Sequence, residues 1–471
     1  MRGRWVYKLK TNNKGEIIKY KARWVVQGFS QILGIDYLET FSTTYRLEVY
    51  KLVFILAVHL GWPILQYDVK NAFVHAKIDK EIYVIQPIGF EKGSNLVYKL
   101  KKALYGLKQS PRLWYRLLRS ILEKQGFSVF PYDEGVFINT TKNIIIACHV
   151  NDLIITSSKR TNIDELINNI SNKIKVQYMG EISTFLGCEI TINRATKTLY
   201  IHQTKYTRHI LNKYNKENTR GYDTPFEAGI KLTTSPLQAS QSEIQSFQRQ
   251  IGALLYLSLK TRIDIAFAVA KCSRYMSNPD SSHWKALERI WGYLNKFFNL
   301  GLSYNYNIPP ILKIYSDSDW GSSLEDRKST EAFITLLGNS PINWKVNKQS
   351  TVALSSTEAE YMALKNATTE ALYISRVLEH ITSSINFTTN NKPTILTDSI
   401  SAKELSENNC FHTRTKHIDI SFHFLRDEVE KGTINIIHIP DPLQLADPLT
   451  KGVLKPKYNW FRDEIGLEEV F

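Results

Sequence analysis

The chain has 471 residues, too many for one ordinary hydrophobic core, so about two to four domains are expected. Its composition, 43% hydrophobic and 22% charged, is that of a folded globular protein, and no apolar run reaches the roughly 18 residues a membrane-spanning helix needs. The 60 basic residues exceed the 45 acidic ones by a formal charge of +15, which favours a polyanionic partner.

From the N-terminus, residues 5–30 alternate apolar and polar around Lys14-Gly15, the pattern of a basic hairpin. Scattered Lys and Arg without an apolar segment argue against a secretory signal. Residues 47–61 place Leu47, Leu52, Ile55 and Leu56 at helical spacing, and "WPILQYDV" then reads as a strand delivering Asp68. Residues 99–124 hold eight Lys/Arg against Glu123, interleaved with Tyr98, Tyr105, Trp114 and Tyr115. Such a segment suits phosphate neutralisation beside base stacking, and it equally suits a solvated helix face. Residues 110–126 predict an amphipathic helix with Leu113, Leu117, Ile121 and Leu122 on one side. "IIIACHVNDLIIT" at 144–156 sets two apolar runs across His149-Val150-Asn151-Asp152, a hairpin with a turn-forming Asn-Asp at its tip. A helix near 162–173 and the strand "STFLGCEITIN" complete a first domain, 1–222.

Composition shifts at 223–242, "DTPFEAGIKLTTSPLQASQS", a linker pattern. Helices are predicted at 242–259, 263–277 and 283–298, the last with Ser281/Ser282 as its cap signal, giving a helical segment 223–310. "NYNIPP" at 305–310 marks the next boundary, and 311–471 alternates strands and helices as an α/β domain does. Cys148, Cys188, Cys272 and Cys410 are far apart and form no Cys-x-x-Cys, so a reducing compartment without a zinc knuckle is expected.

Two sets of acids stand at predicted strand ends. Asp68 and Asp152 form the first; they are either a pair of hard oxygen ligands for Mg²⁺ or simple turn caps. The second runs through the last domain: Asp317 in "KIYSDSDWG", Glu358 and Glu360 in "SSTEAEYMALKNATTEAL", Asp398 in "TILTDSISAKEL" and Asp447 in "LQLADPLTK". Strand–Asp, helix–Glu, strand–Asp and a late Asp in one α/β domain favour a metal site of the kind that serves in-line phosphoryl displacement.

The segments "KARWVVQGFSQILGIDYLETFS", "QYDVKNAFVHAKIDKEIYVIQPIGF", "KLKKALYGLKQSPRLWY", "TRIDIAFAV", "YSDSDWGS" with "RKST", "VALSSTEAEYMAL", "FHTRTKHIDI" and "QLADPLTKG" occur in order. Together they resemble the distal Pol polyprotein of copia-type LTR retrotransposons, its reverse transcriptase and RNase H parts, from about Trp5 to Leu454. The resemblance implies an α+β right-hand polymerase with truncated fingers, palm and thumb, then connection helices and an RNase H-like α/β domain. Asp68, Asn151 and Asp152 fall on the palm's catalytic positions, with Asp68 and Asp152 as metal ligands. Lys21, Arg23, Tyr105, Gly106, Lys108 and Gln109 fall on nucleotide- and template-binding segments, and Phe185, Leu186 and Gly187 on the primer grip. Asp317, Glu360, Asp398 and Asp447 match the RNase H metal acids, Glu360 being preferred to Glu358 for the Tyr-Met-Ala that follows it. His438 is either near the product side of that site or an ordinary strand-end histidine.

The implied cofactor is Mg²⁺ or Mn²⁺, two ions per site. The implied partners are an RNA template, a DNA primer, dNTPs and an RNA–DNA hybrid, with other element-encoded proteins besides. The implied setting is a cytoplasmic virus-like particle or the nucleus. The family's hairpin signature is Tyr-Val-Asp-Asp, whereas here it is His149-Val150-Asn151-Asp152. A neutral amide where a metal-binding carboxylate belongs implies an impaired polymerase centre, beside an RNase H site that keeps all its acids. The alternative is a non-catalytic, hybrid-binding remnant of a decaying element.

Overall fold

The computed structural model describes the chain except residues 12–15, 42–45, 94, 306–308, 388–391, 408–418 and 471. The Lys14-Gly15 turn, Cys410, most of "FHTRTKHIDI" and the middle of the 305–310 boundary lie outside the described residues. The chain divides into two compact units, Met1–Tyr50 with Leu60–Ile182 and Lys51–His59 with Ser183–Phe471. The sequence boundaries at 222/223 and 310/311 both lie inside the second unit.

The first unit is organised by a six-stranded antiparallel sheet in the order Val176–Glu181, Ile64–Val69, Asp152–Ser157, Ile144–His149, Val136–Asn139, Ser128–Val129. Ile144–Ala147 and Leu153–Ile155 are continuous apolar runs because they are buried on both faces of the sheet. On one face the helix Ser110–Glu123 packs Trp114, Leu118, Ile121 and Leu122, and the helix Arg160–Ser171 packs Ile163, Leu166 and Ile170. They meet Leu65, Tyr67, Ile144, Ile146, Leu153 and Ile155 from the strands. Pro111 starts the first helix, where its missing N–H has no intrahelical partner to lose. The basic hairpin, Gly3–Thr11 with Ile17–Val26, forms a separate two-stranded sheet.

The second unit contains two five-stranded sheets. One is antiparallel: Thr184–Phe185, Cys188–Asn193, Thr198–His202, Leu300–Asn305 and Leu467–Glu469. The other runs Ser340–Lys348, Thr330–Leu337, Leu312–Asp319, Thr394–Thr397, Asn435–His438. Its first three strands are antiparallel and the last two join in parallel, the RNase H-like order. The parallel step from Leu312–Asp319 to Thr394–Thr397 needs a long crossover, and the helix Ser356–Ser384 lies within it. Thr204–Lys213, Gln241–Ser258, Ala266–Ser273 and Ser281–Lys296 are helices lying in sequence between two neighbouring strands of the antiparallel sheet, Thr198–His202 and Leu300–Asn305. A fully buried ion pair, Arg262 with Asp264, joins the helix Ser281–Lys296 to the helix Lys455–Glu464: Tyr293 of the first donates to the Asp264 carboxylate at 2.8 Å and Tyr458 of the second to the Asp264 carbonyl.

Three local expectations need correction. The cap of Ser281–Lys296 is Asp280, whose carboxylate accepts from the Ser282 and His283 amides; Ser281 and Ser282 are the first helical residues. The segment predicted as one helix at 263–277 splits into a 3₁₀ turn, Ile263–Ile265, and the short helix Ala266–Ser273. At the 149–152 tip the left-handed residue is Val150, with φ of 56°, not an Asn or Asp.

Candidate functional site

At the first set of acids, Asp68 pairs directly across the ladder with Asp152. Asn151, one residue before Asp152, accepts the Val69 amide on its carbonyl at 2.7 Å. Its side-chain amide donates to Asp68 Oδ1 at 2.5 Å. Asn151 therefore reaches Asp68 and presents an N–H donor to it. The turn is pinned by Trp114, whose indole donates to the Val150 carbonyl at 2.5 Å.

Arg23 and Tyr105 come to the same place. The Arg23 guanidinium lies 5.2 Å from the centre of the Tyr105 ring, and Phe73 packs on that ring at 4.7 Å. Burial raises the Tyr105 hydroxyl's pKa against the pull of Arg23, and the nearby charge of Asp68 adds to the rise. Lys21, half-buried, faces Lys8 across the hairpin. Gly106 is required by its backbone: φ is 95°, and a Cβ there would lie 2.0 Å from the Val26 carbonyl. The close approach lets the Val26 amide donate to the Tyr105 carbonyl at 2.8 Å.

Lys108 and Gln109 are engaged within the protein. Lys108 donates to the Gln31 carbonyl and the Tyr37 hydroxyl, and Gln109, fully buried, exchanges amide bonds with Gln31 and Asp36. These bonds tie both residues to the 31–37 segment. In the second unit Phe185 is also a core residue, edge-on to Phe54 at 5.8 Å. Leu186 and Gly187, both left-handed, turn the short hairpin, and their carbonyls accept from Lys260 and Gln203.

The second set of acids converges in the second unit. Asp317, Glu360 and Asp398 each bring a carboxylate oxygen within 4.8 Å of the others. The strand Leu312–Asp319, the first turns of the helix Ser356–Ser384 and the end of the strand Thr394–Thr397 supply them. Asp317 is 4% exposed and Glu360 9%. Burial raises all three; the charges of Asp447 and Asp398 add to Asp317, Asp317 and Asp398 to Glu360, and Asp441 and Asp447 to Asp398. The Ser318 amide and hydroxyl both donate to Glu360 Oε1, at 3.0 and 2.9 Å, while Glu360 Oε2 is buried with no hydrogen-bond partner among the described residues. An orphaned carboxylate oxygen beside two further carboxylates is a donor set that fits a hard divalent cation. Glu358 has a different task, accepting from the Leu354 amide at 2.7 Å in the cap of the helix.

Asp447 stands outside this trio. It opens the helix Asp447–Thr450, and its two oxygens pair with Lys451 and Lys457, each at 2.5 Å. Thr450 links the two parts, donating to Asp317 Oδ2 and to the Asp447 carbonyl. Gln444 donates to the Ser316 carbonyl at 2.9 Å and its side-chain oxygen accepts the Ala446 amide. His438 is exposed at the end of Asn435–His438. Sequence reasoning singled out only the acid of "QLADPLTKG", although Gln444, Thr450 and Lys451 lie in the same nine residues.

The family described as reverse transcriptase (RNA-dependent DNA polymerase) matches residues 1–228. The chain is 36% identical to the retrovirus-related Pol polyprotein from transposon RE1 of Arabidopsis thaliana, over 99% of this chain and 32% of that protein. It is 33% identical to the corresponding polyprotein from transposon TNT 1-94 of Nicotiana tabacum, over 98% of this chain and 35% of that one. The protease–reverse transcriptase of prototype foamy virus aligns with 94% of this chain and 50% of its own, at 11% identity and a TM-score of 0.24, which adds nothing to the strand order described above. The chain spans about a third of the length of the curated relatives it matches. With two separate acid sites on a mixed α/β scaffold and this extent of likeness, the chain belongs to the copia-type Pol polyproteins of LTR retrotransposons.

Proposed function

We propose that the chain is the reverse transcriptase and RNase H part of a copia-type element whose polymerase centre is impaired and whose RNase H centre is chemically competent. The observation that carries this reading is the contrast between the two sites. Asp317, Glu360 and Asp398 leave a buried oxygen without a partner, whereas Asp68 Oδ1 is already engaged by the Asn151 amide. The reaction proposed is hydrolysis of the RNA strand in an RNA–DNA hybrid. Mg²⁺ or Mn²⁺ held by the trio would supply Lewis-acid stabilisation of the charge developing on the phosphodiester. The chain's own residues do the rest: Ser318 fixes one oxygen of Glu360, Thr450 orients Asp317, and Gln444 fixes the turn that presents Asp447. Template, primer and dNTPs belong to the other site, where Arg23 and Tyr105 approach Asp68.

The test is cleavage of a labelled RNA–DNA hybrid by the full chain in Mg²⁺, with Asp317→Asn as control. Cleavage by the parent and none by the variant supports the reading. Salt-sensitive hybrid binding without cleavage would replace it with the second reading, a hybrid-binding remnant, which the basic and aromatic hairpin favours.

A further inference from the structure

Asp447 differs in kind from its neighbours. Its carboxylate is 3% exposed and cannot turn to bulk water, yet both its oxygens are neutralised by ammonium groups. One negative charge therefore faces two positive ones at the edge of a cluster of three acids. The lysines are less confined: their side chains are 47% and 23% exposed, and each ends a flexible four-carbon stem. Lys457 also donates to the Asp441 carbonyl at 3.1 Å, with the Asp441 carboxylate farther off at 3.9 Å. Thr450 bridges Asp447 to Asp317, so the lysine-held acid abuts the trio through one hydroxyl. A buried anion beside a candidate cation site, held by cations that reach solvent, is an arrangement that can exchange partners.

We propose that Lys451 and Lys457 are positioning residues with two alternating roles. In the free protein they are the counter-ions of Asp447. When hybrid and divalent cation bind, Asp447 turns to the cation and the two ammonium groups turn to phosphate oxygens of the nucleic acid backbone. This rests on the hydrolytic reading above and adds to it a competition: the lysines lower the site's affinity for metal alone and raise its affinity for the substrate's phosphates. Metal binding without substrate is thereby disfavoured, and binding of both together is favoured.

The competition predicts effects of opposite sign from one substitution. Lys451→Met and Lys457→Met keep the apolar stems and remove the charge. Mn²⁺ titration of the substrate-free full chain, read by electron paramagnetic resonance, should show each variant binding metal about threefold to tenfold more tightly. Hybrid binding measured in EDTA should weaken several-fold, and its salt dependence should fall by about 0.7 to 0.9 per lysine removed. Lys451→Arg and Lys457→Arg, which keep the charge, should stay close to the parent in both measurements. Unchanged metal affinity in the Met variants, or hybrid binding with the parent's salt slope, overturns the proposal. If the parent binds and cleaves hybrid while the Met variants match it, only the role of the lysines falls. If Asp317→Asn leaves Mn²⁺ binding intact, the hydrolytic reading falls with it.

Discussion

Restoring one carboxylate, Asn151→Asp, should change sign with the metal. The backbone at this position is pinned by Val69 and Trp114, so the substitution alters charge without moving the turn. In EDTA it removes the 2.5 Å bond from Asn151 to Asp68 and sets two carboxylates face to face. Unit charges about 4 Å apart at an effective dielectric of about 20 repel by about 4 kcal/mol. Both residues are half-buried, so water and protonation relieve much of that. The metal-free variant should be less stable than the parent by about 2 kcal/mol, the scale of one hydrogen bond to a charged group. With Mg²⁺ the same geometry becomes attractive, and about 4 kcal/mol corresponds to roughly a thousandfold in occupancy or rate. Thermal melts in EDTA and in Mg²⁺, and primer extension on an RNA template by the parent, Asn151→Asp and the Asn151→Asp/His149→Tyr double variant, measure both halves. Equal extension by parent and revertants, or a revertant whose melting ignores Mg²⁺, would refute the electrostatic account.

The acid trio makes the metal-free protein sensitive to alkali. Asp317, Glu360 and Asp398 hold their protons more tightly folded than unfolded, so their contribution to stability is complete below the ordinary carboxyl range near 4 and is lost as pH rises through the folded values, which reach about 7 for Asp317. Melting in EDTA should therefore fall between pH 5 and pH 8, less so in Asp317→Asn, and Mg²⁺ should remove the fall; an EDTA melt of the parent that matches Asp317→Asn across this range would contradict it. Arg262→Met strands the Asp264 charge in the core and should cost about 3–5 kcal/mol in urea unfolding, with Arg262→Met/Asp264→Leu recovering most of it. Gly106→Ala puts a methyl where the Val26 carbonyl lies and forces a left-handed alanine; a loss of about 1–3 kcal/mol and faster hydrogen exchange at the Val26 amide are expected.

Much of the fold could be read from the sequence because its signals are local. The apolar runs flanking residues 149–152, the helical spacing after Pro111 and the alternation beyond residue 311 each report a neighbourhood of a few residues. The acids could be read because strand ends are where an α/β sheet gathers them, and three of the four in the last domain do meet. Burial set by contacts distant in sequence is not legible in this way. Nothing local marks Gln109 as buried against Gln31 and Asp36, or Phe185 as a partner of Phe54. The cap signal is ambiguous locally, because Asp280, Ser281 and Ser282 are all capping residue types, and the carboxylate that accepts two amides at the helix start is the stronger partner.

The 149–152 hairpin shows how scaffold and chemistry come apart. Val150, β-branched, is held in the left-handed region, a conformation that costs on the order of 1–3 kcal/mol. Trp114 and Val69 impose it through hydrogen bonds to backbone carbonyls, and neither bond involves the side chain at 151. The turn therefore forms whether that residue is a carboxylate or an amide, and Asp152 stays in register with Asp68 in either case. An aspartate there would need a cation to answer its charge, while the asparagine satisfies Asp68 by itself. The asparagine thus spares the turn a repulsion that an aspartate would bring, so a stable fold at this hairpin says nothing for polymerase activity. At the second acid site Ser318 and Thr450 donate hydrogen bonds to Glu360 and Asp317, while Glu360 Oε2 is left without a hydrogen-bond partner among the described residues and Asp447 is answered by two lysines.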